Sequence, residues 1–202
     1  MISAVILAAG ESRRMGKQNK LLLPIGGEAL LAKLIKSVCA SDVGQVLVVI
    51  GHEAEKIRRE LNNFPLSFVY NPNFIEGMTT SIKSGVKVVS PACDGFLICL
   101  ADMPLINTSE INKLIHAYFQ NRIKEKRLII APVFQGHRGN PVLFSSEFRN
   151  DILEHKKESG CKGVIINNSE SVKEIEMDND NMLLDVDTLE DYQRLIKNFA
   201  SE

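Results

Sequence analysis

Residues 1–16 read MISAVILAAGESRRMG. The first half is apolar and rich in β-branched side chains; the second turns to small residues, two glycines and two arginines. Ile2–Leu7 predicts a strand, and its lack of polar alternation predicts one covered on both faces. A plain surface turn does not need the composition of residues 8–16. Ala8, Ala9 and Gly10 carry little side chain, so a ligand can approach the backbone N–H groups closely. Arg13 and Arg14 offer guanidinium forks for phosphate oxygens, and Lys20 ends the loop as a further point charge.

Two familiar phosphate motifs fail on this loop. The G-x-x-x-x-G-K-[ST] cradle needs four residues between its glycines and a hydroxyl after its lysine. Here five residues separate Gly10 from Gly16, and Lys17 is followed by Gln18. The dinucleotide pattern G-x-G-x-x-G is missing. The loop keeps the chemistry of an anion cradle without either pattern.

Further apolar runs lie at Gln45–Ile50, Leu66–Tyr70, Gly95–Leu100 and Arg127–Pro132. Helix-period segments fall between them at Ala29–Ala40, Ala54–Asn63, Thr79–Ser90 and Ser109–Gln120. In the first of these, Leu30, Leu31, Leu34, Ile35 and Val38 form one stripe. Alternating strands and helices predict an α/β fold, a mainly parallel sheet with helices on both faces. Beyond residue 138, GNPVLFSSEF predicts a strand and a Ser-started helix. GCKGVIINN predicts a short helix and SVKEIEM a short strand. The final helix starts in DVDTLEDYQRLIKNF, with Thr188 as cap and Asp191 as its capping-box partner.

The 202 residues suit one domain, and neither linker nor repeat divides them, so 1–202 is expected to form a single unit. With 24 Lys+Arg against 25 Asp+Glu, a general nucleic-acid or membrane-surface role is not expected. No apolar run reaches the ~18 residues of a membrane span, and MISAVILAAG lacks the basic start of a signal peptide. A cytoplasmic location is the default expectation. Cys39, Cys93, Cys99 and Cys161 show neither C-x-x-C nor zinc spacing and are expected as free thiols. Oligomeric state has no signature.

In sheets of this kind ligands sit at the carboxyl ends of the strands. Asp102 follows the buried-type run FLICL. A strand-end carboxylate beside a positively charged cradle suits magnesium, which takes one or two carboxylates plus substrate phosphates. Asp102 could instead cap a helix, but Asn107 and Thr108 serve the next helix better. A second acid comes from LLDVDT, where Asp185 and Asp187 share a face if extended; strand-end capping is the competing reading. In GMTTSIKSG, Thr79, Thr80 or Ser81 can cap a helix whose start can also donate to a base or phosphate.

Six motifs occur in order: LAAGESRRMG…K, VVIGH, NPNFIEGMTTSIKSG, LADMP, HRGNPVLF and DVDTLED. Together they resemble the MobA-like nucleotidyltransferases, over about residues 2–195, and within them the molybdenum cofactor cytidylyltransferase branch. That resemblance implies a three-layer Rossmann-like sandwich of the nucleotide-diphospho-sugar transferase type. It implies magnesium-dependent transfer of CMP from CTP to the phosphate of molybdopterin, with release of pyrophosphate. A molybdenum hydroxylase would receive the product. Leu7, Ala8, Ala9 and Gly10 would frame the nucleoside, Arg14 and Lys20 would hold the triphosphate, and Gly77 to Ser81, with Met78 and Thr80, would contact the base. Asp102 would bind the metal with Asp187, or alternatively Asp185. His137, Arg138, Gly139 and Asn140 would face the acceptor, although the same residues read as a hairpin turn. LAAG and GMTTS look more like the cytidine branch than the guanosine branch. One departure stands out: relatives often carry GDxGAR where this chain has GCKGVI, so an acid becomes Cys161 and an arginine Ile165. Two rival functions stay open. One is a nucleotidyltransferase for a sugar or polyol phosphate; the other is a non-catalytic cofactor-binding chaperone.

Overall fold

The computed structural model describes residues 1–16, 18–155 and 160–199; Lys17, the lysine that fails the phosphate-cradle pattern, falls outside them. The chain begins with β1 (Ile2–Ala8), then a short hairpin of β2 (Pro24–Ile25) and β3 (Glu28–Ala29) leading into α1 (Leu30–Cys39). Next come β4 (Gln45–Ile50), α2 (Ala54–Glu60), β5 (Ser67–Tyr70) and α3 (Met78–Val88). β6 (Gly95–Leu100) and α4 (Thr108–Arg122) follow. The C-terminal part holds β7 (Ile129–Phe134), β8 (His137–Arg138), β9 (Val142–Ser145), α5 (Arg149–Glu154), α6 (Lys162–Asn167), β10 (Val172–Glu176) and α7 (Leu189–Phe199).

The large sheet runs β10-β7-β9-β6-β1-β4-β5, with β8 paired to β7. β1 is parallel to β4 and β6, and β4 to β5. β9 is the exception: it lies antiparallel between β6 and β7. The unbroken apolar strands are explained by the two faces. Ile2, Ala4, Ile6 and Ala8 join one core with α1 and α4, while Val5 and Ala9 join the other with α3 and α5. In β4 the same alternation sends Val46, Val48 and Ile50 to the first core, and Leu47 and Val49 to the second. The result is the expected three-layer α/β sandwich.

The predicted stripe of α1 is buried throughout. Asn107 caps α4 in a full capping box with Glu110, and Thr188 and Asp191 bond reciprocally at the start of α7. All four cysteines are free thiols. Two features have no counterpart in the sequence reading, and one reading needs correction. The β2–β3 hairpin is too short to leave a periodic signal. The expected strand in GNPVLF is present but reversed in direction, which a run of apolar residues cannot announce. α3 starts at Met78 with Gly77 as its cap, one residue earlier than expected, so Thr79, Thr80 and Ser81 lie inside the first turn rather than capping it.

β1 has β4 on one side and β6 on the other, and the chain visits them in that order, so the strand order switches direction beside β1. The loops leaving β1 and β6 therefore diverge around a crevice at the carboxyl edge of the sheet.

Candidate active site

The loops after β1, β5 and β6 enclose a cavity of about 480 Å³ together with residues 185 and 187. Leu7, Ala9, Gly10, Arg14 and Lys20 line it from the first loop, and Gly77, Met78 and Ser81 from the start of α3. Asp102, Asp185 and Asp187 close the acidic end. Gly77 has φ of 103°, a conformation that L side chains rarely adopt, and this turn delivers the chain into α3 with no side chain capping the helix. The start of α3 borders the cavity, and the dipole of a helix start favours an anion there.

The acids meet through one stitch. The Val186 N–H donates to the Asp102 carbonyl at 2.9 Å, and Val186 itself is buried. Its neighbours Asp185 and Asp187 then lie beside Asp102, so that one oxygen from each of the three carboxylates falls within 4.8 Å of the others. Lys20 bridges two of them, with Nζ 2.5 Å from Asp102 Oδ2 and 2.9 Å from Asp187 Oδ1. Arg14 reaches Asp187 Oδ2 at 2.7 Å from a largely exposed position. Arg13 also lines the cavity, where it pairs with Glu11 at 2.7 Å.

These contacts set the protonation states. Burial acts to lower the Lys20 pKa, but the charges and hydrogen bonds of Asp102 and Asp187 outweigh it, and the ammonium is held above its usual range. Burial acts to raise Asp187, yet Lys20 and Arg14 hold its carboxyl below the usual range. Asp185 has no such partner. Burial, then repulsion from Asp187 and Asp102, push its carboxyl up.

The second oxygen of Asp102, Oδ1, is buried and has no hydrogen-bond partner among the described residues. A buried carboxylate oxygen without a partner, beside two further acids, fits a hard divalent cation bound through oxygen. The donor set is all carboxylate, which suits magnesium or manganese better than the softer transition metals.

Several residues expected at the site are placed elsewhere. Ala8 packs into the core on the opposite face of β1, as strand alternation requires. The Thr80 hydroxyl serves its own loop, within 2.9 Å of both the Asn73 and Gly77 carbonyls. His137, Arg138, Gly139 and Asn140 do not line the cavity. They form the β7–β8 hairpin and its exit, the turn that competes with an acceptor-facing role in the sequence. Arg138 is paired with Glu174, and the Asn140 N–H donates to the Met182 carbonyl. Cys161 and Ile165, at the departure from the family pattern, pack against the second apolar core, and burial pushes the Cys161 thiol up to about 12. Residues that sequence reasoning passed over include Ser12, Phe74 and Ile75 on the wall, and buried Asn71 behind it. Asn71 and Phe74 stand within a quoted motif, but nothing in their side-chain type signals a ligand wall.

Comparison with known proteins agrees with this geometry. A family model described as MobA-like NTP transferase domain matches residues 4–172. The chain is 24% identical over 199 residues to nicotine blue oxidoreductase of Paenarthrobacter nicotinovorans, covering 96% of each. It is 25% identical over 192 residues to the molybdenum cofactor cytidylyltransferase of Escherichia coli, covering 95% of this chain and 93% of the relative. Among solved structures, the Rv0371c homologue from Mycobacterium sp. strain JC1 superposes with a TM-score of 0.83 at 29% identity, over 99% and 97% of the two chains. Rv0371c of Mycobacterium tuberculosis H37Rv, in complex with manganese, gives 0.78 at 22% identity, over 97% and 98%.

Proposed function

Because the chain belongs to the MobA-like NTP transferase domain family, we propose that it transfers CMP from CTP to the phosphate of molybdopterin and releases pyrophosphate. The observation that carries the reading is the convergence of three carboxylates, Lys20 and Arg14 at one end of a cavity framed by small residues and a helix start.

Asp102 and Asp187 would hold a divalent cation, magnesium in this reading, with Asp185 as the alternative second ligand. When bound, the cation supplies charge neutralisation and polarisation at the triphosphate. A same-fold protein solved with manganese supports a divalent metal, and the unpartnered Asp102 oxygen supports its place. Arg14 and Lys20 offset the charge that builds on the α-phosphate and leaving pyrophosphate. Lys20 now lies on the acids, so a cation there would free its ammonium for phosphate. The backbone of Gly10 and the first turn of α3 hold the nucleotide in place. The attacking group, a phosphate, is already anionic, so the site needs no general base. None of the residues lining the cavity forms a Cys/His or Ser/His/Asp constellation.

The test is pyrophosphate release from CTP, GTP and ATP with purified molybdenum cofactor and magnesium. CTP is expected to be preferred, and lack of turnover with all three would overturn the proposal. A sugar or polyol phosphate acceptor is the second reading, favoured by the apolar packing of Cys161 and Ile165 where relatives carry charge. Labelled CTP offered with a panel of such acceptors separates the two.

A further inference from the structure

Asn71 follows β5 and is 1% exposed, yet it bonds β4, the loop after β5 and the start of α3 behind the cavity wall. Its backbone N–H donates to the Ile50 carbonyl at 2.9 Å, which ties it to the sheet. Its side-chain Oδ1 accepts the Asn73 N–H at 3.0 Å. That contact fixes which end of the amide is oxygen, because a backbone N–H can only donate. The Nδ2 end must therefore face the two hydroxyls of α3, and it lies 2.9 Å from Thr80 Oγ1 and 3.0 Å from Ser81 Oγ. Both amide hydrogens are used.

The polarity of Ser81 is fixed by the same bond. Its oxygen accepts from Asn71, so its own hydrogen has to point elsewhere. Thr80 can give its hydrogen to the Asn73 or Gly77 carbonyl, each at 2.9 Å. Ser81 meets no acceptor of this kind among the described residues, and its side chain, 5% exposed, lines the cavity. A buried hydroxyl that has accepted one bond and still holds a proton needs an acceptor to complete it.

We propose that Asn71 is a positioning residue that locks Ser81 as a hydrogen-bond donor into the cavity, so that the site selects ligands offering a carbonyl oxygen or ring-nitrogen acceptor there. This rests on reading the cavity as a nucleotide site, in which the acceptor belongs to the base. The chemistry suits cytosine, whose edge presents adjacent carbonyl and ring-nitrogen acceptors, over an edge that presents only donors at that point.

Asn71→Asp tests it with little change of shape. The N71D carboxylate still accepts the Asn73 N–H, so the loop turn survives, but it accepts from Ser81 instead of donating, and the Ser81 proton turns away from the ligand. The expected result is a rise of about tenfold in the KM for CTP with kcat little changed, the scale of one neutral hydrogen bond. Ser81→Ala should show the same rise, and the double variant no further one, because Asn71 acts through Ser81. Additive losses, or an N71D enzyme with the wild-type KM, overturn the proposal. Direct titration of wild-type protein with CTP and magnesium separates the two levels. Absence of binding removes the nucleotide reading itself, whereas tight binding that N71D leaves unchanged removes only the role of Asn71.

Discussion

Asp102 has one carboxylate oxygen on Lys20 and the other, buried, on nothing. The asymmetry gives a direct expectation. Asp102→Ala should cut turnover by at least about a hundredfold and abolish divalent-cation binding followed by calorimetry. Near-normal activity would remove Asp102 from the chemistry. Lys20→Met should destabilise the metal-free protein by about 1–3 kcal/mol in urea unfolding, because it leaves partly buried Asp102 without its ion pair and Asp187 with Arg14 alone, and added magnesium should recover most of that loss. The pH dependence has a definite sign. Asp187 is held below its ordinary 3.8, so its contribution to stability is present above that value and lost as pH falls through the lower folded pKa. Lys20 is held above its ordinary 10.5, so its contribution is complete below that value and lost as pH rises through the higher folded pKa. Asp187→Asn should therefore lose stability relative to wild type at about pH 7 and converge with it at about pH 2, in parallel urea titrations. Of these residues, Asp102 and the Asp185/Asp187 pair were readable as candidate ligands from position and spacing. That Lys20 sits on the acids was not, since it depends on residues 82 and 167 positions away along the chain.

At the level of elements, α3 lines one wall of the cavity, and its placement depends on a close approach to the sheet. A Cβ on Gly85 would stand 2.3 Å from a Val5 methyl and 2.9 Å from a Val49 methyl, both on the buried sheet face. Gly85→Ala should then cost about 1–3 kcal/mol by overpacking and raise the KM for CTP as the helix start shifts away. A normal KM in a folded variant would show that α3 tolerates the displacement. The helix was legible because apolar residues recur at helical spacing, and α1 for the same reason. The first residue of α3 was misjudged because Thr and Ser usually cap helices, whereas here a glycine at positive φ makes the turn and the three hydroxyls lie inside the helix. The β7–β8 hairpin was legible as a turn, but the reversed direction of β9 was not. Its pairing is set by tertiary contact, and an apolar run covered on both faces reads the same in either direction.

Across the whole molecule, the switch in strand order beside β1 opens the crevice, and the return of the chain after β10 closes it. Binding should therefore stabilise the entire fold. With magnesium and CTP each at about a hundred times its Kd, thermal unfolding should shift upward by the equivalent of about 2.7 kcal/mol or more, and CTP without metal should shift it less. Equal shifts with and without metal would count against a metal-bridged triphosphate. No described helix is long and apolar enough to cross a membrane, which agrees with the near-balanced charge. The stitch between Val186 and the Asp102 carbonyl has one more consequence. The acids come from two stretches that meet only when the last turn before α7 has docked on the loop after β6. A chain still being synthesised would own the cradle early but could not grip a metal until that docking was complete. On the proposed function, metal affinity would then report finished folding, and a half-folded chain would leave the cell's nucleotide pool untouched.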